Sequence, residues 1–174
     1  MKICVMSDSH GNTEYIKRVI DFAEKENTNF IIHLGDNYSD MEEFNLPNII
    51  KIPGVYDEEY YNHLIKHRII KNFEKLRSLL SHTKVSHVND LPTDKKPEEL
   101  IEKKEIDLLL YGHTHIPEVK FENGVLFVNP GHLRKEDKKG YPPTFAVLEL
   151  KEREVIVKIL KINFEKFLEN SFSL

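Results

Sequence analysis

Two short apolar runs, Lys2–Met6 and residues 29–34, enclose a stretch in which Ile16, Val19, Ile20 and Ala23 recur at helical spacing. The first run stops at Ser7-Asp8 and the second at Gly35-Asp36, as buried strands do where they leave a sheet. Asn12 and Thr13 are the N-cap candidates for the helix between them. A strand, a helix and a strand joined by so few residues favour a parallel pair with a right-handed crossover. That unit commits the chain to an α/β fold. A third short strand over residues 48–52 is stopped by Pro53-Gly54.

Further along, residues 58–67 are expected as a helix. Arg68–Phe73 and Leu76–Ser81 flank Glu74-Lys75 as the arms of a hairpin. Residues 83–97 are polar, with Pro92 and Pro97, and predict a surface loop from which Pro97 opens a helix to about residue 104. An apolar strand over residues 107–111 runs into Gly112-His113-Thr114-His115. Asn123-Gly124, between residues 118–121 and 125–128, is a strong hairpin signal. Residues 145–150 and 154–161 alternate apolar and polar positions as a second hairpin. A single domain over residues 1–162 is expected, with 163–174 as a C-terminal helix or tail.

Composition narrows the function classes. At 174 residues the chain has room for one domain, and 40% apolar residues are too many for a disordered chain. A net charge of −4 gives no general pull toward nucleic acid or an anionic membrane, so no stable nucleic-acid complex is expected. No apolar run approaches the roughly 18–20 residues that cross a bilayer, and Asp8 interrupts the N-terminus too early for a signal-peptide apolar region. A cytoplasmic location without membrane attachment is the expectation. The lone cysteine, Cys4, allows neither an internal disulfide nor a cysteine-built zinc cage.

The chemistry collects at strand ends. Asp8 and His10 follow the first strand, Asp36 the second, His82 the strand at Leu76–Ser81, and His113 and His115 the strand at 107–111. Singly, each has an ordinary reading: Asp8 as a cap, Gly35-Asp36 as a turn. Together they recur where α/β sheets place their sites, at the carboxyl ends of strands. Mixed carboxylate and imidazole donors suit manganese, nickel, iron or zinc better than calcium.

The order Asp8-Ser9-His10, Gly35-Asp36, His82, Gly112-His113-Thr114-His115, followed by Asn129-Pro130-Gly131, resembles the calcineurin-like metallophosphoesterases, and within them the small single-domain prokaryotic phosphodiesterases. The resemblance spans residues 1 to about 150. It implies a four-layer sandwich of two mixed β-sheets flanked by helices, around two divalent metal ions, manganese foremost. Asp8, His10 and His115 would hold the first ion, Asp36 would bridge both, and His82 and His113 would hold the second. It further implies hydrolysis of a P–O bond in a small phosphorylated substrate, by in-line attack of a hydroxide lying between the ions, and a possible homo-oligomer.

The chain departs from the family at Pro53-Gly54-Val55-Tyr56-Asp57, where the family normally writes Gly-Asn and then histidine or cysteine. Val55 cannot supply the asparagine carbonyl oxygen that the second ion receives in the family. Activity reduced by that replacement is therefore an expectation. Tyr56 occupies the place of the histidine that protonates the leaving group, and Asp57 or Glu58 is the candidate substitute ligand. Asp36, His113, Tyr56 and Asp57 would form the catalytic set, with Tyr56, His113 or water supplying the leaving-group proton. Thr83 follows His82 where the family has glycine, which leaves His87 as a rival for that position. An alternative is an inactive scaffold of the same fold, used to hold partners. His33 is expected as a satisfied core histidine and His63 and His67 as a solvated helix face. His132 falls near the ions, and residues 134–139 are a basic run that either is solvated or steers an anion.

Overall fold

The computed structural model describes residues 1–152 and 154–173. The first crossover forms as its pattern requires: β1 (Lys2–Met6), α1 (Thr13–Lys25) and β2 (Phe30–His33), with β1 and β2 parallel and Cys4 opposite Ile31. Side chains alternate across β1. Ile3 and Val5 face one way into the core between the sheets. Cys4 and Met6 face the other way, against Ile16, Val19, Ile20 and Ala23 of α1.

Two sheets result. In the first, β3 (Ile49–Lys51) lies outside β2, while β9 (Thr144–Leu150), β10 (Glu154–Lys161) and β11 (Lys166–Ser173) extend from β1, giving the order β11-β10-β9-β1-β2-β3. In the second, β4 (Arg68–Phe73), β5 (Leu76–Ser81), β6 (Leu108–Leu110), β7 (Glu118–Glu122) and β8 (Val125–Asn129) are ordered β4-β5-β6-β8-β7. Leu80, Leu108, Leu110 and Val128 meet Ile3, Val5, Ile32 and Leu34 across the interface. Leu79, Leu109 and Phe127 turn outward beneath Leu100 of the short α2 (Pro97–Glu102). The layers are therefore helix, sheet, sheet, helix, as the resemblance implied.

Two expectations are corrected. Residues 163–174 are neither helix nor tail where described: β11 pairs antiparallel with the whole of β10, and Leu168 and Phe172 pack on the inter-sheet core. A spacing of four fits one face of a helix and one face of a strand alike, so the pattern alone did not decide. Residues 58–67 hold only a 3-10 turn, Glu58–Tyr61. His63 is exposed, but His67 is buried, stacked 3.8 Å from the Tyr60 ring with Nδ1 2.7 Å from Asp94 Oδ2. Beside it the buried Arg68 lies 2.8 Å from Asp90 Oδ2 and donates from Nε to Ser81 Oγ at 3.0 Å. These pairs tie the loop after β5 to the strands carrying it.

Candidate metal centre

The turns after β1, β2 and β3 are hydrogen-bonded to one another. Asp8 N donates to Gly35 O at 2.8 Å and His10 N to Asp36 O at 3.0 Å. His33 joins the same turns from below. Its Nδ1 accepts the Gly35 N–H at 3.3 Å, while Nε2 lies 3.0 Å from Ser9 Oγ, whose hydroxyl donates to Asp40 Oδ2 at 2.7 Å. That arrangement places the ring proton on Nε2, and burial pushes its pKa down to about 4, so the imidazole is neutral. His33 is a satisfied core histidine, as expected, and it also braces two donor-bearing turns.

The second sheet brings its donors to the same place. His82 O accepts from Gly112 N at 3.0 Å, and His113 N donates to Asp8 Oδ1 and Oδ2 at 3.1 and 3.0 Å. This approach requires glycine at 112, because a Cβ there would lie 2.6 Å from Asp8 Oδ2. Asp8, His10, Asp36, His113 and His115 all have φ between 47° and 67°. Non-glycine residues seldom adopt that left-handed conformation, and its cost of about 1–3 kcal/mol each is borne by the surrounding hydrogen bonds.

The side chains form two donor groups that share a member: Asp8, His10, Asp36 and His115 in one, Asp36, His82 and His113 in the other, with donor atoms within 4.8 Å in each. Asp36 Oδ2 is 3.7 Å from His10 Nε2, and Asp36 Oδ1 is 3.4 Å from His82 Nε2. Each oxygen of one carboxylate thus faces a different group.

Hydrogen bonds on the outer ring nitrogens show what the inner ones offer. His82 Nδ1 donates to Leu34 O at 2.7 Å, so in the neutral ring the Nε2 lone pair points at Asp36 and at His113 Nδ1, 3.2 Å away. His115 Nδ1 donates to Asp137 Oδ2 at 2.6 Å, and its Nε2 faces Asp8 Oδ1 and His10 Nε2, both at 3.2 Å. Lone pairs and carboxylate oxygens that converge in this way repel unless a cation lies among them. The proton can play that part at His115: burial opposes it, but Asp8 and Asp137 outweigh burial and raise its pKa to about 9. Burial, only partly offset by His82, raises Asp36 to about 6. For Asp8, the His115 hydrogen bond and the nearby imidazoles overcome burial and lower the pKa. The donor chemistry fits divalent metal ions at both groups.

Several expectations meet this geometry differently. His82, not His87, joins Asp36 and His113. The His87 ring lies 6.1 Å from that of His113, and its Nδ1 accepts from Asn89 N at 3.2 Å. Val55 is fully buried, and its carbonyl accepts from Asn89 Nδ2 at 2.9 Å. Asp57, the candidate substitute ligand and catalytic residue, joins neither donor group. Its Oδ2 accepts from Gly54 N, Tyr38 N and Asp36 N at 2.7, 2.9 and 3.2 Å, which makes it a clasp for the turn that carries Asp36. Glu58 is exposed and joins neither group. Tyr56 is 70% exposed at the rim, with its ring 6.5 Å from that of His113. His132 lies 5.5 Å from the His115 ring, but backbone groups of Tyr141 and Arg134 occupy both its nitrogens.

Sequence reasoning missed Asp137. The His115 hydrogen bond outweighs burial and lowers its pKa to about 2. It sits inside the basic run, and nothing in that spacing marks it as the partner of a histidine. Arg134 in the same run lies 3.8 Å from Asp137 Oδ2, and with Lys135, Glu14 and His10 it lines a hollow of about 540 Å³ whose charges are mixed.

A sandwich of mixed sheets whose adjoining strand ends share one aspartate between two histidine-bearing groups is the architecture that the resemblance to the metallophosphoesterases implies. The family model described as the calcineurin-like phosphoesterase superfamily domain matches residues 1–153, and the chain belongs to that superfamily. It is 28% identical to the phosphodiesterase MJ0936 of Methanocaldococcus jannaschii over 88% of this chain and 96% of the relative. Its identity to the phosphodiesterase YfcE of Escherichia coli K12 is 25%, over 86% and 88% of the two chains. The vacuolar protein sorting 29 structure of Cryptosporidium parvum superposes with a TM-score of 0.75 at 20% identity, covering 99% of this chain and 98% of that one, a likeness of fold alone. Among the described residues no helix is long and apolar enough to cross a membrane.

Proposed function

We propose that the chain is a metal-dependent phosphodiesterase that hydrolyses a P–O ester bond in small phosphodiesters. The observation that carries this reading is the Asp36 carboxylate, with its two oxygens turned toward separate donor groups. Asp8, His10, Asp36 and His115 would hold one divalent ion, and Asp36, His82 and His113 the other, manganese being the first choice for this donor set. Such a pair of ions supplies charge stabilisation at the phosphoryl oxygens and lowers the pKa of water.

The chain's own part is to fix that geometry. Asp57 and His33 hold the Asp36 turn, Asp137 fixes the tautomer of His115, and the Leu34 carbonyl fixes that of His82. In the reaction a water oxygen bonds to phosphorus as the opposite ester P–O bond breaks. One proton passes to solvent, and the departing oxygen takes one from solvent.

The test is to strip the purified protein with a chelator, reload it with manganese, nickel or magnesium, and assay bis(p-nitrophenyl) phosphate and p-nitrophenyl phosphate. Manganese-dependent diester turnover with two ions bound per chain is expected. A protein that binds no ion, or binds two and hydrolyses neither ester, would overturn the reading. Val55 favours a second reading, a fold kept to hold a partner, and the metal-loaded but inert outcome would select it.

A further inference from the structure

We propose that Tyr56 forms the wall of a subsite for the base of a small nucleoside phosphodiester; this rests on the phosphodiesterase reading and names the substrate class for it. A tyrosine ring that is 70% exposed contributes little to the core. It stands at the rim of the donor cluster, 6.5 Å from the His113 ring and edge-on to the His87 ring at 5.6 Å and 86°. The segment that carries it is tethered to the facing loop, where Val55 O accepts from Asn89 Nδ2. An exposed aromatic face on a tethered segment is what a stacking platform requires.

The same ring lines a hollow of about 350 Å³ together with Asn37, Ser39, Asp57, Glu58 and Glu59, a volume within the range of small-molecule sites. Asn37, the residue directly after the shared Asp36, is part of that lining. Its chemistry selects the occupant. Among the described residues no lysine or arginine lines it, so a second phosphate meets the carboxylates of Glu58 and Glu59 without a counter-charge there. Those carboxylates, the Asn37 amide and the Ser39 hydroxyl suit an uncharged ring with N–H donors on its edge. A nucleobase has that edge and a π face for Tyr56; a glyceryl or sugar-phosphate group has neither, and a choline, whose cation would suit Tyr56 and the carboxylates, has no N–H edge for the Asn37 amide and the Ser39 hydroxyl.

The chain contains no tryptophan, so Tyr56→Trp introduces a single indole at the proposed wall. Its emission is titrated with adenosine and with ribose, with and without manganese. Saturable quenching by adenosine alone is expected in both conditions. In parallel, kcat/KM is measured on adenylyl-adenosine, bis(p-nitrophenyl) phosphate and glycerophosphocholine for the parent, Tyr56→Phe and Tyr56→Ala. Preference for adenylyl-adenosine over glycerophosphocholine should fall about tenfold in Tyr56→Ala and persist in Tyr56→Phe, which keeps the ring and loses the hydroxyl.

An equal fall in both variants would make the hydroxyl the active feature and overturn the stacking role. A fall on bis(p-nitrophenyl) phosphate without quenching by adenosine would overturn the base as occupant. Diester turnover with no quenching and an unmoved preference sinks the subsite alone. Quenching by adenosine in a protein that hydrolyses no diester sinks the phosphodiesterase reading and leaves the subsite.

Discussion

Asp137 Oδ2 and Asp8 Oδ1 approach opposite nitrogens of His115, at 2.6 and 3.2 Å, so a single imidazole lies between two carboxylates. The outer carboxylate holds the proton on Nδ1 and turns the lone pair of Nε2 inward, which fixes the ring for metal ligation. Asp137→Ala should therefore weaken the site formed by Asp8, His10, Asp36 and His115 by about 10–100-fold and leave the other site within a few-fold. Competition with a chelating indicator measures both constants; an unaltered first constant would remove Asp137 from this role.

Asp36 carries the opposite kind of strain. Its folded-state pKa is raised to about 6 against an ordinary 3.8, chiefly by burial. The folded chain thus binds the proton more tightly than the unfolded one, and this group's contribution to stability falls as pH rises from about 4 to 6. Above that window the ionised carboxylate costs the metal-free protein roughly 3 kcal/mol. Asp36→Asn is expected to abolish binding of both ions and yet to raise the Tm of the metal-free protein at pH 7.5, with the gain vanishing near pH 4. Calorimetry in excess chelator reads this directly, and a lower Tm at pH 7.5 would refute it.

His33 titrates with the reverse sign. The unfolded ring takes up a proton near pH 6.5 and the folded one only near pH 4, so the unfolded state binds more protons in between. Stability contributed here is intact above pH 6.5 and declines by roughly 3 kcal/mol as pH falls to about 4. His33→Gln, whose amide can still donate to Ser9, should flatten that decline in urea titrations of the metal-free protein. An unchanged slope would show that the acid lability resides elsewhere.

Val55→Asn should separate stability from metal affinity. The side chain is fully buried, so an amide placed there without a partner costs about 1–3 kcal/mol in the metal-free state. With the asparagine that the family carries at this position restored, manganese should bind the second site more tightly. Calorimetric titration of both proteins checks the pair of effects; equal affinity would mean that the new oxygen does not reach the ion.

Much of the fold was legible because short apolar runs ended in residues with conformational meaning, such as Gly35-Asp36, Pro53-Gly54 and Asn123-Gly124. The six donors were legible for the same reason, each standing just beyond a strand. What stayed hidden depends on contacts between remote segments. In the sequence Asp57 reads as a ligand or catalytic acid, because its three backbone N–H donors come together only in the folded turn. His67 looked solvent-facing because the ring of Tyr60 and the carboxylate of Asp94 reach it only through the folded loop. Asp137 lay among lysines, and sequence neighbours say nothing about a histidine 22 residues away.

The donor set straddles a seam. Asp8, His10 and Asp36 leave the six-stranded sheet, whereas His82, His113 and His115 leave the five-stranded one, so each ion would fasten the two layers like a rivet. Elsewhere those layers meet through packed apolar side chains, among them the Phe30–Phe73 and Phe121–Phe172 ring pairs. Loading the centre should accordingly slow amide exchange in β1 and β6 together, well beyond the turns that touch the ions, and emptying it should release both strands as one unit.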